Sequence, residues 1–97
     1  MVIIAKSALT SFAERHVDSS EALEKWYEFV LKSNWNSLSQ IKLDFSSVDY
    51  VGCDRYVFNI KGNRYRIIAL IHFSVRTVYI RFVGTHSEYD KINAKTI

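Results

Sequence analysis

Four side chains in the second half of the chain suit the chemistry of phosphate: Arg66, Arg81, His86 and Tyr89. Arginine offers a planar fork that grips two phosphate oxygens at once. Imidazole moves protons near neutral pH, and a phenol can donate a proton or orient a neighbour. No pair of carboxylates is spaced for acid–base work, no glycine-rich phosphate loop occurs, and the histidines and the cysteine lack metal-ligand spacing. A serine triad is equally unsupported. The set that remains fits RNA cleavage without a metal. In that reaction a base takes the 2′-hydroxyl proton, cations stabilise the charged phosphorane, and an acid protonates the leaving 5′-oxygen. Each residue also has a plainer reading: a histidine at a helix N-terminus is commonly just solvated, and an aromatic on a short helix commonly packs with its hydroxyl at the surface.

The elements that must position these groups can be read locally. Thr85 followed by Glu88 is a capping box, which predicts a short helix from His86 to about Ile92 with His86 and Tyr89 on one side of its first turn. Before it, Thr77 to Val83 alternates, with Val78, Ile80 and Phe82 expected on one face and Thr77, Tyr79, Arg81 and Val83 on the other. Arg55 to Ile60 and Arg64 to Phe73 read as two strands joined at Gly62-Asn63, a local hairpin signal because glycine takes the positive φ of tight turns. In the longer strand Tyr65, Ile67, Ala69, Ile71 and Phe73 should pack on the helices, leaving Arg64, Arg66, Ile68, Leu70 and His72 opposite. If the apolar faces agree, Arg66 and Arg81 share the far face of the sheet.

The first half is expected to be scaffold. Val2 to Ala5 is a plausible strand, and Ala8, Leu9, Phe12, Ala13 and His16 recur at helical spacing, with the charge of His16 suiting a helix C-terminus. Asp18 and Glu21 read as an N-cap pair for a second helix, about Ser19 to Ser33, whose apolar stripe is Leu23, Trp26, Tyr27, Val30 and Leu31. Glu21 with Lys25 and Glu28 with Lys32 are favourable pairs on its outer side. Ser37 to Leu43 suggests a helical turn, and the following DFSSVDYVGCD a turn-rich segment wrapping the core. His72 should decorate the solvent side of its strand.

Composition sets the outer bounds. The chain has 97 residues, 48% of them apolar and 24% charged, enough for one modest core and far from a disordered composition. One cysteine, Cys53, excludes an internal disulfide and fits a reducing compartment. No run reaches membrane-spanning length and the start is too short for a signal-peptide core, so a cytoplasmic protein with no membrane partner is expected. Net charge is +3, but residues 1–54 carry five basic against eight acidic side chains, while residues 55–97 carry eight against two. An anionic partner would be held by the second half, although blocks of charge are often only a solvated surface.

The runs YVFNIKGNRYRII (Tyr56 to Ile68), VYIRFVGTHSEYDKI (Val78 to Ile92) and, more loosely, SQIKLDFSSVDYV (Ser39 to Val51) resemble the HigB-type toxins of bacterial toxin–antitoxin modules, within the RelE superfamily. One departure is Ser46, where members commonly carry a proline. The resemblance implies a single α+β domain over residues 1–97, with a strand and two helices packed on an antiparallel sheet and a short C-terminal helix. It implies an endoribonuclease that needs no cofactor and cuts mRNA on the translating ribosome. It further implies a helix-turn-helix antitoxin of the HigA type, with operator DNA reached only through that antitoxin. Arg66 and Arg81 would then take the scissile phosphate, with His86 transferring protons and Tyr89 beside it. Lys61, Arg64, Arg76 and Lys91 would hold flanking phosphates or ribosomal RNA; ordinary surface charge is the plainer reading for Arg76 and Lys91. Two other readings use the same fold without chemistry: an RNA- or ribosome-binding module, and an antitoxin-binding subunit.

Overall fold

A computed structural model describes all residues from Met1 to Ile97. It is a mixed α+β arrangement of strand β1 (Val2–Ile4), helices α1 (Lys6–Arg15), α2 (Ser20–Lys32) and α3 (Leu38–Asp44), strands β2 (Asp49–Gly52), β3 (Arg55–Ile60), β4 (Tyr65–His72) and β5 (Thr77–Thr85), and helix α4 (His86–Asp90). The five strands form one sheet in the order β1-β5-β4-β3-β2. Only β1 with β5 is parallel; the other neighbours are antiparallel.

Helices α1, α2 and α3 cover one face, and the core lies between. Tyr65, Ile67, Ala69 and Ile71 of β4 and Tyr56, Phe58 and Ile60 of β3 bury against Leu9 and Phe12 of α1 and Leu23, Trp26 and Val30 of α2. Thus the period-two pattern of β4 and the helical stripes face each other, as their spacings dictate. Trp26, Trp35 and Phe45 all pack on the Phe58 ring, with centroids 5.3, 6.2 and 5.3 Å away. The Trp35 indole N–H donates to Asp44 Oδ2 at 2.8 Å, pinning the C-terminal end of α3. The β3–β4 loop has positive φ at Lys61 (52°), Gly62 (58°) and Asn63 (74°), so Gly62 stands where the expected turn needs it.

Four local expectations change. Asp18 does not cap α2: it lies in a 3-10 turn, Val17–Ser19, and the helix begins at Ser20 without a side-chain cap. Stronger partners claim its carboxylate, as described below. Asp49–Gly52 is an edge strand rather than a wrapping turn, because β3 offers it a free hydrogen-bonding edge. Of the two pairs on α2, Glu21–Lys25 forms at 3.0 Å, whereas Glu28 and Lys32 make no ion pair.

The fourth change lies in β5. Its register against β4 slips between Ile68 and Ala69, whose partners are Phe82 and Ile80, leaving Arg81 as the extra residue of a bulge. A one-residue insertion exchanges the two faces beyond it. Val83 therefore turns inward opposite Ile67, and Phe82 turns outward opposite Ile68. Strict alternation had put them the other way round.

Candidate functional site

Arg66 lies on the face of the sheet away from α1 and α2, paired with Asn59 of β3 on one side and Gly84 of β5 on the other. Its guanidinium carbon sits 4.6 Å from the centroid of the Tyr89 ring, in a cation–π contact. Arg66 Nε is buried and has no hydrogen-bond partner within the protein. The ring of Tyr89 therefore carries much of the work of holding the guanidinium plane. Together with Ser47, Val48, Asp49, Val57 and Asn59, these two residues line an open cleft of about 280 Å³.

Helix α4 reaches that position through a local device. The Glu88 backbone N–H donates to Thr85 Oγ1 at 3.2 Å, and Glu88 Oε1 accepts from the Thr85 N–H at 2.8 Å, the two halves of the expected capping box. These bonds, the backbone N–H of Thr85 first, hold the Glu88 carboxyl below its ordinary range. The His86 N–H donates to the Arg64 carbonyl at 3.3 Å and ties the helix start to the beginning of β4. Gly84 makes the corner possible. A Cβ there would stand 2.8 Å from Phe82 Cε2 and 3.2 Å from Glu88 Oε1, so the Phe82 ring lies in space that only glycine leaves open.

His86 is not part of the cleft lining. Its Nδ1 is 3.1 Å from Asp90 Oδ2, one turn along the same helix. A carboxylate on Nδ1 fixes the imidazole tautomer and leaves Nε2 free to exchange a proton with a bound group. Both side chains are about half exposed, at 49% and 59%. Arg81 extends from its bulge and donates from Nε to the Ile97 carbonyl at 3.3 Å; Arg55 donates to the same oxygen at 3.1 and 2.9 Å. Arg66 and Arg81 thus share the outer side of the sheet, as expected, but point to different partners.

The residues expected to hold flanking phosphates divide into three groups. Lys61 Nζ donates to the Asp18 carbonyl at 2.9 Å and lies 3.4 Å from its Oδ2, and Arg64 Nη1 lies 3.5 Å from the same oxygen. The Tyr65 hydroxyl donates to Asp18 Oδ1 at 2.6 Å. That hydroxyl, assisted by the two cations, holds the Asp18 carboxyl below its ordinary value, while the carboxylate pushes the Tyr65 phenol up. Lys61 and Arg64 are therefore partly neutralised at the turn of the β3–β4 hairpin. Arg76 stands in the β4–β5 connection at φ 53°, at the opposite end of β4 from Arg66. Lys91 follows α4 and is exposed.

Sequence reasoning missed four polar groups now seen near these residues. Asn59 was recoverable, since a hairpin closed at Ile60 and Tyr65 must pair Asn59 with Arg66. Asp90 carried a signal too, standing four residues after His86 on a helix. Ser47 and Asp49 had none, because their segment read as a turn.

A family model for the HigB toxin, described as the RelE-like toxic component of a toxin–antitoxin system, matches residues 19–92. The chain is 33% identical over 96 residues to the mRNA interferase toxin HigB of Escherichia coli K12, covering 97% of this chain and 92% of that protein. The mRNA interferase HigB of Shigella flexneri gives the same identity and coverage. The mRNA interferase HigB of Escherichia coli O6:H1 is 26% identical over 94 residues, or 95% and 91% of the two chains. The matched span includes the β3–β4 hairpin, the β5 bulge and the capped helix that presents Tyr89. This chain belongs to the HigB family of RelE-like toxins of toxin–antitoxin systems.

Proposed function

We propose that residues 1–97 form a single toxin domain acting as an endoribonuclease on mRNA at the translating ribosome in the cytoplasm. A helix-turn-helix antitoxin of the HigA type restrains it, and operator DNA is contacted only through that antitoxin. The observation that carries this reading is the Arg66 guanidinium lying on the Tyr89 ring at 4.6 Å, in an open cleft. A fixed guanidinium at a cleft mouth is preorganised for a phosphate whose negative charge grows in the transition state.

In the proposed reaction the 2′-hydroxyl gives up its proton, O2′ bonds to phosphorus, and the P–O5′ bond breaks as the 5′-oxygen gains a proton. The products are a 2′,3′-cyclic phosphate and a 5′-hydroxyl, so no water is consumed in the step. Arg66 binds the scissile phosphate, and Arg81 takes charge from the outer side of the sheet. His86, oriented through Nδ1 by Asp90, transfers a proton through Nε2. Tyr89 is the platform that fixes Arg66. Lys61, Arg64 and Lys91 hold neighbouring phosphates or ribosomal RNA, a sequence-independent and salt-sensitive contribution.

Inducible expression tests the reading. Wild type should arrest growth and leave transcripts cut, and Arg66→Ala and His86→Ala should do neither while accumulating as folded protein. Growth arrest without transcript cleavage, with translating ribosomes present, would instead favour a binding module that blocks translation by occupancy.

A further inference from the structure

The rest of the cleft lining, beside Arg66, is not built for phosphate. It presents the hydroxyl of Ser47, the carboxylate of Asp49 and the amide of Asn59, alongside the buried Val48 and Val57. None of the three polar side chains makes a hydrogen bond within the protein, and Asp49 forms no ion pair with Arg66 or any other cation. A carboxylate repels phosphate and so weakens a site meant for the backbone alone. It suits a ligand that brings donors. The volume of about 280 Å³ lies just below the roughly 300–1,000 Å³ of pockets for drug-sized molecules, which suits a single nucleotide unit.

We propose that Ser47, Asp49 and Asn59 form a base-reading subsite beside the scissile phosphate, selecting a nucleobase with an exocyclic amine over uracil. The inference rests on the endoribonuclease reading. Single-stranded RNA is read by stacking and by hydrogen bonds to base edges. A carboxylate accepts from an exocyclic amine, and an asparagine amide both donates and accepts along one edge. Uracil offers two carbonyl oxygens flanking a single imino N–H and no amine, so Asp49 would face an acceptor. Asn59 pairs directly with Arg66 across the hairpin, so reading the base and gripping its phosphate are fixed to one rigid frame.

The test is cut-site mapping on a defined mRNA under translation, comparing wild type with Asp49→Ala, Asn59→Ala and Ser47→Ala. Wild type should disfavour uridine at one fixed position relative to the cut, by about five- to hundredfold for each base-edge contact. Asp49→Ala and Asn59→Ala should lose that discrimination, as cleavage beside amine-bearing bases falls towards the rate beside uridine. A cut-site profile unchanged in active Asp49→Ala and Asn59→Ala proteins overturns the inference and leaves the enzyme reading intact. An equal loss of cleavage in every sequence context also overturns it, since Asp49 would then serve the reaction itself. If Asp49→Ala does not fold, Asp49→Asn, nearly identical in shape, decides between the same outcomes. A wild-type protein that cuts no RNA sinks the enzyme reading, and this one with it.

Discussion

Replacing Tyr89 with alanine and with phenylalanine separates two roles that one residue could play. The guanidinium of Arg66 lies 4.6 Å from the ring centroid, and its Nε has no other partner. Such contacts are worth roughly 0.5–1 kcal/mol when exposed and about 2 when desolvated; for the half-buried Arg66, about 1–2 kcal/mol is expected. Phenylalanine keeps the ring and alanine removes it. If Tyr89 is a platform, Tyr89→Ala slows transcript cleavage roughly five- to thirtyfold at about 1.4 kcal/mol per decade, while Tyr89→Phe stays within about threefold. Were the hydroxyl the proton donor, Tyr89→Phe would instead lose about a hundredfold or more. Single-turnover cleavage with translating ribosomes gives both rates, and thermal melts of the two variants control for folding. The platform role is refuted if Tyr89→Phe falls as far as Tyr89→Ala, and the cleft itself loses its standing if Tyr89→Ala cuts at the wild-type rate.

Other consequences follow from the surrounding geometry. Thr85→Ala removes the acceptor of the Glu88 N–H and should lower stability by about 1 kcal/mol, seen as a fall of roughly 4–8 °C in melting temperature; an unchanged melt would mean that the cap contributes nothing. Gly84→Ala forces a methyl against Phe82 and Glu88 and should cost about 1–3 kcal/mol in denaturant unfolding, with cleavage falling further as α4 shifts. Because the folded state holds the Asp18 carboxyl below its ordinary value, its stabilisation is complete above the unfolded carboxylate pKa, near 3.9 as a rough reference, and fades as pH falls through the lower folded value. Asp18→Asn and Tyr65→Phe should each flatten the acid limb of the stability profile below about pH 4, and retention of the full limb in both would show that the contact carries no weight. Arg76→Ala should change cleavage by no more than about twofold, since at ~3.3 Å per strand residue it stands roughly 20 Å from Arg66; a large loss would extend the RNA path along the whole sheet.

How much of this was legible depended on how local each cause was. The capping box of Thr85 and Glu88 involves residues three apart, so the sequence alone disclosed the helix that presents Tyr89. The face of β4 was equally plain, because Arg66 interrupts an apolar run at a period of two. The bulge in β5 was hidden for a physical reason. Phe82 and Val83 are both apolar, so either phase satisfies a simple alternation, and only pairing with Ile67 and Ile68 decides between them. Asp18 misled for the opposite reason: its local role as a cap was plausible, but a phenol and two cations from a hairpin distant in sequence outcompete exposed backbone N–H groups. The edge strand Asp49–Gly52 has almost no signal of its own, and without it Ser47 and Asp49 had no place beside Arg66. The part of the cleft built by Arg66 and Tyr89 was therefore visible from the sequence, and the part built by Ser47 and Asp49 was not.

The central claim is that RNA is cut where Arg66 lies on Tyr89. The most direct measurement is the single-turnover cleavage rate of Arg66→Ala on a translated mRNA, taken with its melting temperature and its ribosome association. Loss of a preorganised cation at the developing charge should slow cleavage about a hundredfold or more while folding and ribosome association remain. A folded Arg66→Ala protein that cuts within about threefold of wild type, less than one ordinary hydrogen bond is worth, would place the chemistry elsewhere.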